Sequence, residues 1–134
     1  MLTKFLYDHT KFKSRSMRIK GRKFRMYIAQ GFAQKSIGLM YRESLGKDEG
    51  MLFLFPFLHR WQIWMLNMKF PIDVLWLDEN GIVVHIEKSM QPCKGIFGCK
   101  SFAPDTMAKY VIELSATTAS RLRIRKGDKI GVCT

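Results

Sequence analysis

The stretch IDVLWLDENGIVVHIEK, residues 72–88, decides the fold, because it indicates two adjacent strands and the turn between them. Asn80-Gly81 between two runs rich in β-branched and aromatic residues predicts a hairpin with a type I′ turn. The turn fixes the register, and on one face it predicts three opposed pairs: Leu77 with Val84, Leu75 with Ile86, and Asp73 with Lys88. We therefore expect an apolar face that ends in an acid–base pair, with Asp73 at the rim of the core.

Short apolar segments separated by turn residues continue along the rest of the chain. Met51 to Phe55 predicts a strand that Pro56 ends, Trp61 to Met65 predicts another, and Ala33 to Tyr41 predicts a short helix. We expect seven to nine short strands and one or two short helices. This pattern is typical of a mainly β fold, a compact β-sandwich or barrel-like domain. With 134 residues, the chain is expected to form a basic N-terminal arm (1–14) and a single β domain (15–134).

Positive charge is concentrated at the N-terminus of the chain. The first 25 residues hold nine bases and one acid, in a chain of net charge +12. Here SMRIKGRKFRMYIA predicts a hairpin with a type II′ turn at Gly21-Arg22, which would oppose Lys20 to Lys23 and Arg18 to Arg25. Like charges that face each other destabilise a sheet unless water screens them or an anion binds. Arg18, Lys20, Lys23 and Arg25 are thus a candidate site for nucleic acid or another polyanion, and a solvated surface is the alternative.

Polar residues inside apolar segments provide the candidate ligand site. Asn67, Asp73 and Glu113 lie in such segments, where a carboxylate must be paired, hydrogen-bonded or protonated. We expect them to converge with Trp64 on a rim pocket that binds a small polar ligand or peptide, with Arg42 as the partner of an anionic group. One alternative is a structural role for each of them. The other is a hydrolase that uses Asp73 and Glu113 as paired carboxylates.

Other chemical motifs are missing from the sequence. His59, His85, Cys93 and Cys99 lack the close spacing of metal ligands, so we expect neither a metal nor another cofactor. Phosphate-binding glycine loops and nucleophile motifs are also absent, which leaves the catalytic residues, if any, unknown. The spacing leaves open whether Cys93 and Cys99 are free thiols or a disulfide.

The distribution of apolar residues and the cysteine content indicate the cellular compartment that we expect for the protein. The sequence shows no secretory signal and no apolar stretch near 18 residues, so no membrane span is expected. An odd number of cysteines, three, favours a reducing compartment. We expect a cytoplasmic protein that is a monomer or a small homo-oligomer.

An ordered series of motifs resembles the domain of unknown function family 192, also called uncharacterised protein family 0127. The motifs are GLMYRESLGKDEGMLFLFPF (38–57), IWMLNMKFPIDVLWLDENGIVVHI (63–86), KYVIEL (109–114) and KGDKI (126–130). The resemblance runs from Met17 to Val132 and implies a β-sandwich or barrel-like fold, but it assigns no reaction. Where the family has Lys-Asn-Thr, this chain has Leu66-Asn67-Met68. The family pattern maps onto Gly38, Leu39, Met40, Arg42, Gly50, Met51, Leu52, Phe53, Trp64, Met65, Asn67, Pro71, Asp73, Asp78, Glu113, Gly127 and Asp128.

Overall fold

Eight strands and three short helices follow one another along the computed structural model, which describes residues 2–93 and 95–132. The elements are α1 (Leu2–His9), β1 (Lys13–Ile19), β2 (Arg22–Ala29), α2 (Phe32–Ile37), β3 (Glu49–His59), β4 (Ile63–Trp64), β5 (Ile72–Leu77), β6 (Val83–Met90), β7 (Ser101–Phe102), β8 (Ala108–Ser115) and α3 (Thr118–Arg121). The expected mainly β fold is confirmed. The helices number three rather than one or two, and α1 lies within the segment that we expect to be an arm.

Six of the strands form one sheet, in the order β1-β2-β3-β8-β5-β6, and β4 pairs with β7 in a small second sheet. Neighbouring strands are antiparallel except for β2 and β3, which are parallel. Because β1 and β6 are separate edges, the large sheet is open. The sandwich-like version of the expected fold therefore agrees with the structure, and a closed barrel does not.

Both faces of the large sheet are covered by core. Every residue of β5 is buried, and so are five consecutive residues of β8. One core contains Leu52, Leu75, Leu77, Ile112 and Leu114, and the other contains Met51, Phe53, Val74, Trp76 and Val111. Alternate residues of one strand enter different cores because successive side chains point to opposite faces. This double burial explains why these strands are continuously apolar.

The β5–β6 hairpin has the predicted register only in its middle. Val74 lies opposite Glu87, Leu75 opposite Ile86 and Trp76 opposite His85, as expected. Leu77, however, lies opposite Val83 rather than Val84, because the turn is not type I′. The N–H of Gly81 donates to the carbonyl of Asp78 at 3.0 Å, and positive φ occurs at Gly81 but not at Asn80. This is a type I turn followed by a left-handed glycine, a connection that adds a bulge.

The predicted ion pair between Asp73 and Lys88 is wrong. A second bulge brings Ile72 opposite Met90, so Asp73 faces an irregular segment at Ser89, whose φ is 51°. Asp73 is completely buried. Its Oδ1 accepts the N–H of Ser89 at 2.9 Å, and its Oδ2 accepts the N–H of Ala119 at 2.8 Å. The carboxylate is satisfied by backbone donors and connects β6 to α3, so it does not lie at a polar rim.

The turn of the first hairpin lies one residue earlier than predicted, which changes each cross-strand partner by two residues. Lys20 and Gly21 both have positive φ, 53° and 77°, which places a type I′ turn one residue earlier than expected. Arg18 therefore faces Lys23, and Ser16 faces Arg25. The expected pairs Lys20–Lys23 and Arg18–Arg25 are wrong. The inner face of the hairpin is apolar and buried, and its residues are Met17, Ile19, Phe24 and Met26.

Strand β3 continues through Pro56, against the prediction that this proline ends it. Pairing with β2 stops at Phe53, and pairing with β8 stops at Leu54 and resumes at His59. Pro56 falls in the unpaired interval, where its missing N–H removes no ladder hydrogen bond. Two other boundaries also differ. The expected strand from Trp61 is reduced to β4, and the expected helix beginning at Ala33 is α2, which ends before Gly38.

The C-terminal segment 127–130 covers the beginning of β6. The N–H of Val83 donates to the Asp128 carbonyl at 2.8 Å, and the N–H of Gly127 donates to the Val83 carbonyl at 2.8 Å. The N–H of Ile130 donates to the Gly81 carbonyl at 2.9 Å. A Cβ at Gly81 would collide with the Ile130 carbonyl oxygen, so this position requires glycine for close backbone approach as well as for its positive φ.

A disulfide joins Cys93 to Cys99, which resolves the alternative that the sequence left open. Disulfides are typical of oxidising compartments, whereas the cysteine count favoured a reducing one. Cytoplasmic location therefore stays a prediction. Among the helices of the described residues, none has the length and apolarity required to cross a bilayer.

We expect Asp73→Asn to lower the free energy of unfolding by about 1–3 kcal/mol, the usual cost of leaving a buried donor unsatisfied. The new amide NH2 would face one of the two backbone N–H donors. Urea unfolding monitored by tryptophan fluorescence measures the change. Asp48→Asn is the control, because Asp48 lies at the surface and pairs with Arg22, and exposed pairs contribute little. Equal midpoints for the two variants would contradict the role assigned to Asp73.

Candidate functional site

Two of the five residues predicted to bind a ligand lie together. Trp64 and Glu113 line one cavity of about 320 Å³, which we call the Glu113 cavity. The other three, Asn67, Asp73 and Arg42, are not among its lining residues. The cavity lies between α2 with the loop that follows it, β3, β4 and β8, and its lining residues are Lys35, Ser36, Ile37, Gly38, Leu39, Met40, Phe53, Gln62, Ile63, Trp64, Met68 and Glu113.

Glu113 is the chemically distinctive group of this cavity. It is only 4% exposed, and its cross-strand neighbours are the apolar residues Met51 and Val74. Within the described residues its carboxyl group forms no hydrogen bond or ion pair. Burial raises the pKa of Glu113 to about 8, because a charged carboxylate is poorly solvated there. At neutral pH the group is therefore mainly a carboxylic acid, which can donate one hydrogen bond and accept others.

The walls of the cavity are apolar and its rim is mixed. Phe53, Met40 and Met68 are buried wall residues, whereas Trp64 is 38% exposed. Trp64 is held by β4, which pairs with β7 through Trp64 and Ser101. Lys35, Ser36 and Gln62 add polar groups, and the Lys35 Nζ lies 5.0 Å from the centre of the Phe55 ring. An apolar cavity with a few polar groups is the usual form of a small-molecule site.

Backbone geometry shapes the cavity from one side. Gly38 has φ 49° and follows α2, and a Cβ there would lie 3.0 Å from the ring of Phe53. Asn67 acts behind the wall rather than in it. Its backbone is left-handed, with φ 60°, and its carbonyl accepts the N–H of Tyr41 at 2.9 Å. Its side-chain Nδ2 contacts the sulfur of Met40 at 3.8 Å, so Asn67 positions a wall residue.

The two carboxyl groups of the hydrolase hypothesis lie on opposite faces of the sheet. Asp73 pairs with Leu114 across β5 and β8, whereas Glu113 pairs with Val74. Successive residues of a strand point to opposite faces. Asp73 therefore points to the core that contains Leu75, and Glu113 points to the core that contains Val74. The body of the sheet separates them. The predicted convergence of Asp73 with Glu113 is therefore wrong, and a two-carboxylate mechanism has no geometry to support it.

Arg42 lies in a different surface region from Glu113. Its guanidinium carbon lies 4.3 Å from the centre of the Tyr27 ring and 5.9 Å from that of Phe12. It lines a separate cavity with Tyr7, Asp8 and Lys11. Cation–π contacts of this kind stabilise the guanidinium locally. The expected role of Arg42 beside Trp64 is not supported by this arrangement.

The residues predicted to bind a polyanion remain largely exposed. Arg18, Lys23 and Arg25 are exposed on the outer face of the first hairpin. Lys20 lies in the turn, where its Nζ pairs with Asp128 at 3.1 Å. The shifted register leaves Arg18 directly opposite Lys23, so one of the expected like-charge contacts is replaced by another.

Acidic, histidine and cysteine side chains do not assemble into a metal site in the part of the chain that the structure describes. His85 is partly buried between two acids. Its Nε2 lies 2.8 Å from Glu87, and its Nδ1 lies 3.1 Å from Asp105. The hydrogen bond to His85 is the main reason why the pKa of the Asp105 carboxyl lies below its usual range. These are contacts between charged or polar partners, and they do not enclose a cavity.

Sequence reasoning did not single out Lys35, Gln62 or Ile63 as cavity residues. They come from α2 and from the segment at β4, and nothing in their local pattern distinguishes them from surface or core residues. A useful signal was available elsewhere. Six residues of the cavity are positions of the pattern through which the chain resembles family 192: Gly38, Leu39, Met40, Phe53, Trp64 and Glu113.

Comparison with protein families identifies a relationship over most of the chain. The family model DUF192, with the description Uncharacterized ACR, matches residues 15–132. The chain belongs to the DUF192 family. Among functionally curated proteins no significant match is found.

Two solved structures share the fold of this DUF192 protein. One is a proposed transcription regulator from Sinorhizobium meliloti 1021, with TM-score 0.76, 29% identity, and 91% of this chain matched to 93% of the other. The other is a protein of unknown function from Novosphingobium aromaticivorans DSM 12444, with TM-score 0.75, 27% identity, and coverage of 90% and 85%. They show that proteins of related sequence share this fold, and they assign no ligand to the Glu113 cavity.

The raised pKa of Glu113 predicts a falling stability between pH 4.5 and about 8. The unfolded chain releases this proton near the ordinary value of 4.5, whereas the folded chain keeps it until about pH 8. Because the folded state binds more protons in this window, its free energy of unfolding should fall by about 1.4 kcal/mol per pH unit from this group. Below pH 4.5 the stabilisation that comes from proton binding by Glu113 is fully present, and above about pH 8 it is lost.

Urea titrations of the wild type and Glu113→Gln at several pH values measure the difference. The variant should lose this slope, since its amide does not titrate. The pKa values of Asp48, Asp105 and Asp128 are lowered from 3.8. These carboxyl groups therefore change the free energy of unfolding at lower pH, outside the window in which Glu113 titrates. Parallel pH profiles for the two proteins would contradict the assignment.

Proposed function

We propose that this DUF192 protein is a binding module that holds a small molecule in the Glu113 cavity. The observation that carries the proposal is a buried carboxyl group that has no partner among the residues the structure describes and that lines a cavity with apolar walls. A buried polar group is normally hydrogen-bonded, and a ligand group would supply what the protein does not. A volume of about 320 Å³ is at the lower end of small-molecule sites.

The protonation of Glu113 indicates the chemistry of the ligand. A carboxylic acid presents a donor and an acceptor side by side, which match the N–H and C=O edge of an amide or of an amide-containing ring. Trp64 and Phe53 supply aromatic surface for such a ring. An ammonium ligand would instead require the charged carboxylate. Since Glu113 is mainly protonated at neutral pH and Lys35 adds a positive charge to the lining, an ammonium ligand is disfavoured and a neutral amide fits.

Benzamide and benzylamine, which have similar shapes, separate these two chemistries. We expect benzamide to shift the NMR signals of the cavity residues, and its affinity to fall as the pH rises through about 8. Glu113→Gln keeps a donor and an acceptor, so it should retain benzamide binding and lose the pH dependence. Glu113→Leu should reduce the affinity at least tenfold. Glu79→Gln, at an exposed loop residue, is the matched control.

Tighter binding of benzylamine than of benzamide at neutral pH, where Glu113 should hold its proton, would contradict the donor role of Glu113 while preserving the cavity as a ligand site. The absence of any binding by these probes and by a wider panel of ring amides would contradict the binding module itself.

A second candidate function is the binding of a polyanion or nucleic acid by the outer face of the first hairpin. Arg18, Lys23 and Arg25 are exposed there and, among the described residues, form no ion pair with an acid. Arg18 donates to the Gly21 carbonyl and Arg25 to the Ser14 hydroxyl, which leaves further donors on each guanidinium. The similar protein proposed to be a transcription regulator adds weight to nucleic acid as the polyanion.

The double variant Lys23→Glu, Arg25→Glu should weaken retention on heparin and on duplex DNA. Each lost phosphate contact should reduce the slope of log affinity against log salt by about 0.9. Fluorescence anisotropy with a labelled duplex at several salt concentrations measures that slope. Lys88→Glu, Lys100→Glu has the same change in net charge at exposed residues elsewhere. If both double variants behave alike, only net charge matters and the hairpin is not a specific site.

A further inference from the structure

Arg15 holds an unusual nitrogen atom. Arg15 lies opposite Met26, on the inward side of the first hairpin. Among the described residues, the Nη2 atom of Arg15 is the one side-chain nitrogen or oxygen that is itself shielded from solvent and has no hydrogen-bond partner. Guanidinium groups stay charged in proteins, and an unsatisfied buried donor costs about 1–3 kcal/mol, with more for a charged group. Such an atom requires an explanation.

The surroundings of Arg15 are basic and contain no acid. A cavity of about 550 Å³ is lined by Lys13, Ser14, Arg15, Ile28, Gln30, Gly31, Gln34 and Leu54. Gln34 is already engaged, since its Oε1 accepts the N–H groups of Gln30 and Gly31 and its Nε2 donates to the Lys11 carbonyl. Its carbonyl oxygen therefore has little capacity left to accept a hydrogen bond from Arg15, and an amide carries no charge that could neutralise the guanidinium. The positive charge of this cavity is not compensated by its own lining.

A second cavity of about 300 Å³ adjoins the first, because the two share Gln30 and Leu54 as lining residues. It adds Lys35 and Lys109, together with the rings of Phe55 and Tyr110. We call the two cavities together the basic groove. Lys13, Arg15, Lys35 and Lys109 line it, no Asp or Glu does, and within the described residues none of the four bases forms a salt bridge.

Four unpaired bases along one groove raise its positive potential and attract anions. Arginine presents a planar fork that pairs with phosphate through two parallel hydrogen bonds. Bases at both ends of the groove require anionic groups at two places, while Ile28, Leu54 and Phe55 offer apolar contact between them. We propose that the basic groove binds a molecule with two or more phosphate groups, one of which pairs with Arg15.

This site is distinct from the outer face of the hairpin. Arg15 belongs to the alternate residues of β1 that point inward with Met17, whereas Arg18 points outward. It is also distinct from Glu113, which does not line the basic groove, although Lys35 lines both sites. The phosphate groups could belong to a free oligophosphate or to a single-stranded nucleic acid, so both sources enter the test.

The test is isothermal titration of the full chain with tripolyphosphate and with an eight-residue oligothymidylate. The wild type should bind at least one of the two probes, with affinity that falls as salt increases. Arg15→Met should weaken binding at least tenfold, yet its melting temperature should equal or exceed that of the wild type. The reason is that methionine keeps the apolar stem and removes the unpaired buried donor.

Lys47→Met is the matched control. It removes one exposed base near the beginning of β3, whereas the basic groove lies beyond the other end of its pairing with β2, and it should change the affinity less than twofold. Lys35→Met, Lys109→Met provides a second variant at the other end of the groove, which should also weaken binding at least tenfold. Binding of tripolyphosphate alone would identify a free oligophosphate, and binding of oligothymidylate alone would identify nucleic acid.

Failure of the wild type to bind either probe would overturn the proposal. So would unchanged affinity in Arg15→Met, or a melting temperature several degrees below that of the wild type, since that result would make Arg15 a structural residue. None of these outcomes bears on the Glu113 cavity, because Arg15 does not line that cavity.

Discussion

Burial of the central strands on both faces is the constraint on which the rest of the structure depends. β5 and β8 lie next to each other inside the six-stranded sheet, with core on either side. Any polar side chain in these strands must therefore find a partner or remain uncharged. Asp73 and Glu113 show the two solutions. Asp73 accepts two backbone N–H groups, whereas Glu113 holds its proton to about pH 8.

The different hydrogen bonding of these two acids gives Asp73 a structural role and leaves Glu113 available to a ligand. Asp73 is fully used inside the protein, so its removal should affect stability and leave no group available to a ligand. Glu113 has no partner in the part of the chain that the structure describes and lines a cavity, so its hydrogen-bonding capacity remains available. Two carboxyl groups that look alike in the sequence thus have different roles, and backbone donors within reach of only one of them account for the difference.

Much of the fold could be predicted from local pattern. The bounds of β5, the buried residues of the first hairpin and the middle register of β5–β6 follow from alternation and turn residues. The ends of that hairpin could not be predicted, because the bulges at Gly81 and Ser89 depend on contacts with segment 127–130 and with Asp73. The prediction that Pro56 ends β3 is wrong for a similar reason. Whether a strand can contain a proline depends on which neighbouring strands pair with it at that position.

The candidate site was predictable only in part. Trp64 and Glu113 stand out as an aromatic residue and an acid in apolar segments, and the structure brings them together. Lys35 and Gln62 carry no such signal, because their role comes from the packing of α2 and β4 around the cavity. Asn67 is a candidate in the sequence because it is polar. Its role in the structure comes from its left-handed backbone, which the residue type alone does not predict.

The two edges of the large sheet are protected by different means. At β6, segment 127–130 hydrogen-bonds to Val83 and Gly81 and so occupies part of the free edge. At β1, the edge strand instead has charged residues along its length, including Lys13, Arg15 and Arg18. Exposed strand edges invite pairing with other chains, and covering segments or charges oppose it. One sheet therefore resists intermolecular strand addition by backbone saturation on one side and by mutual repulsion of like-charged copies on the other.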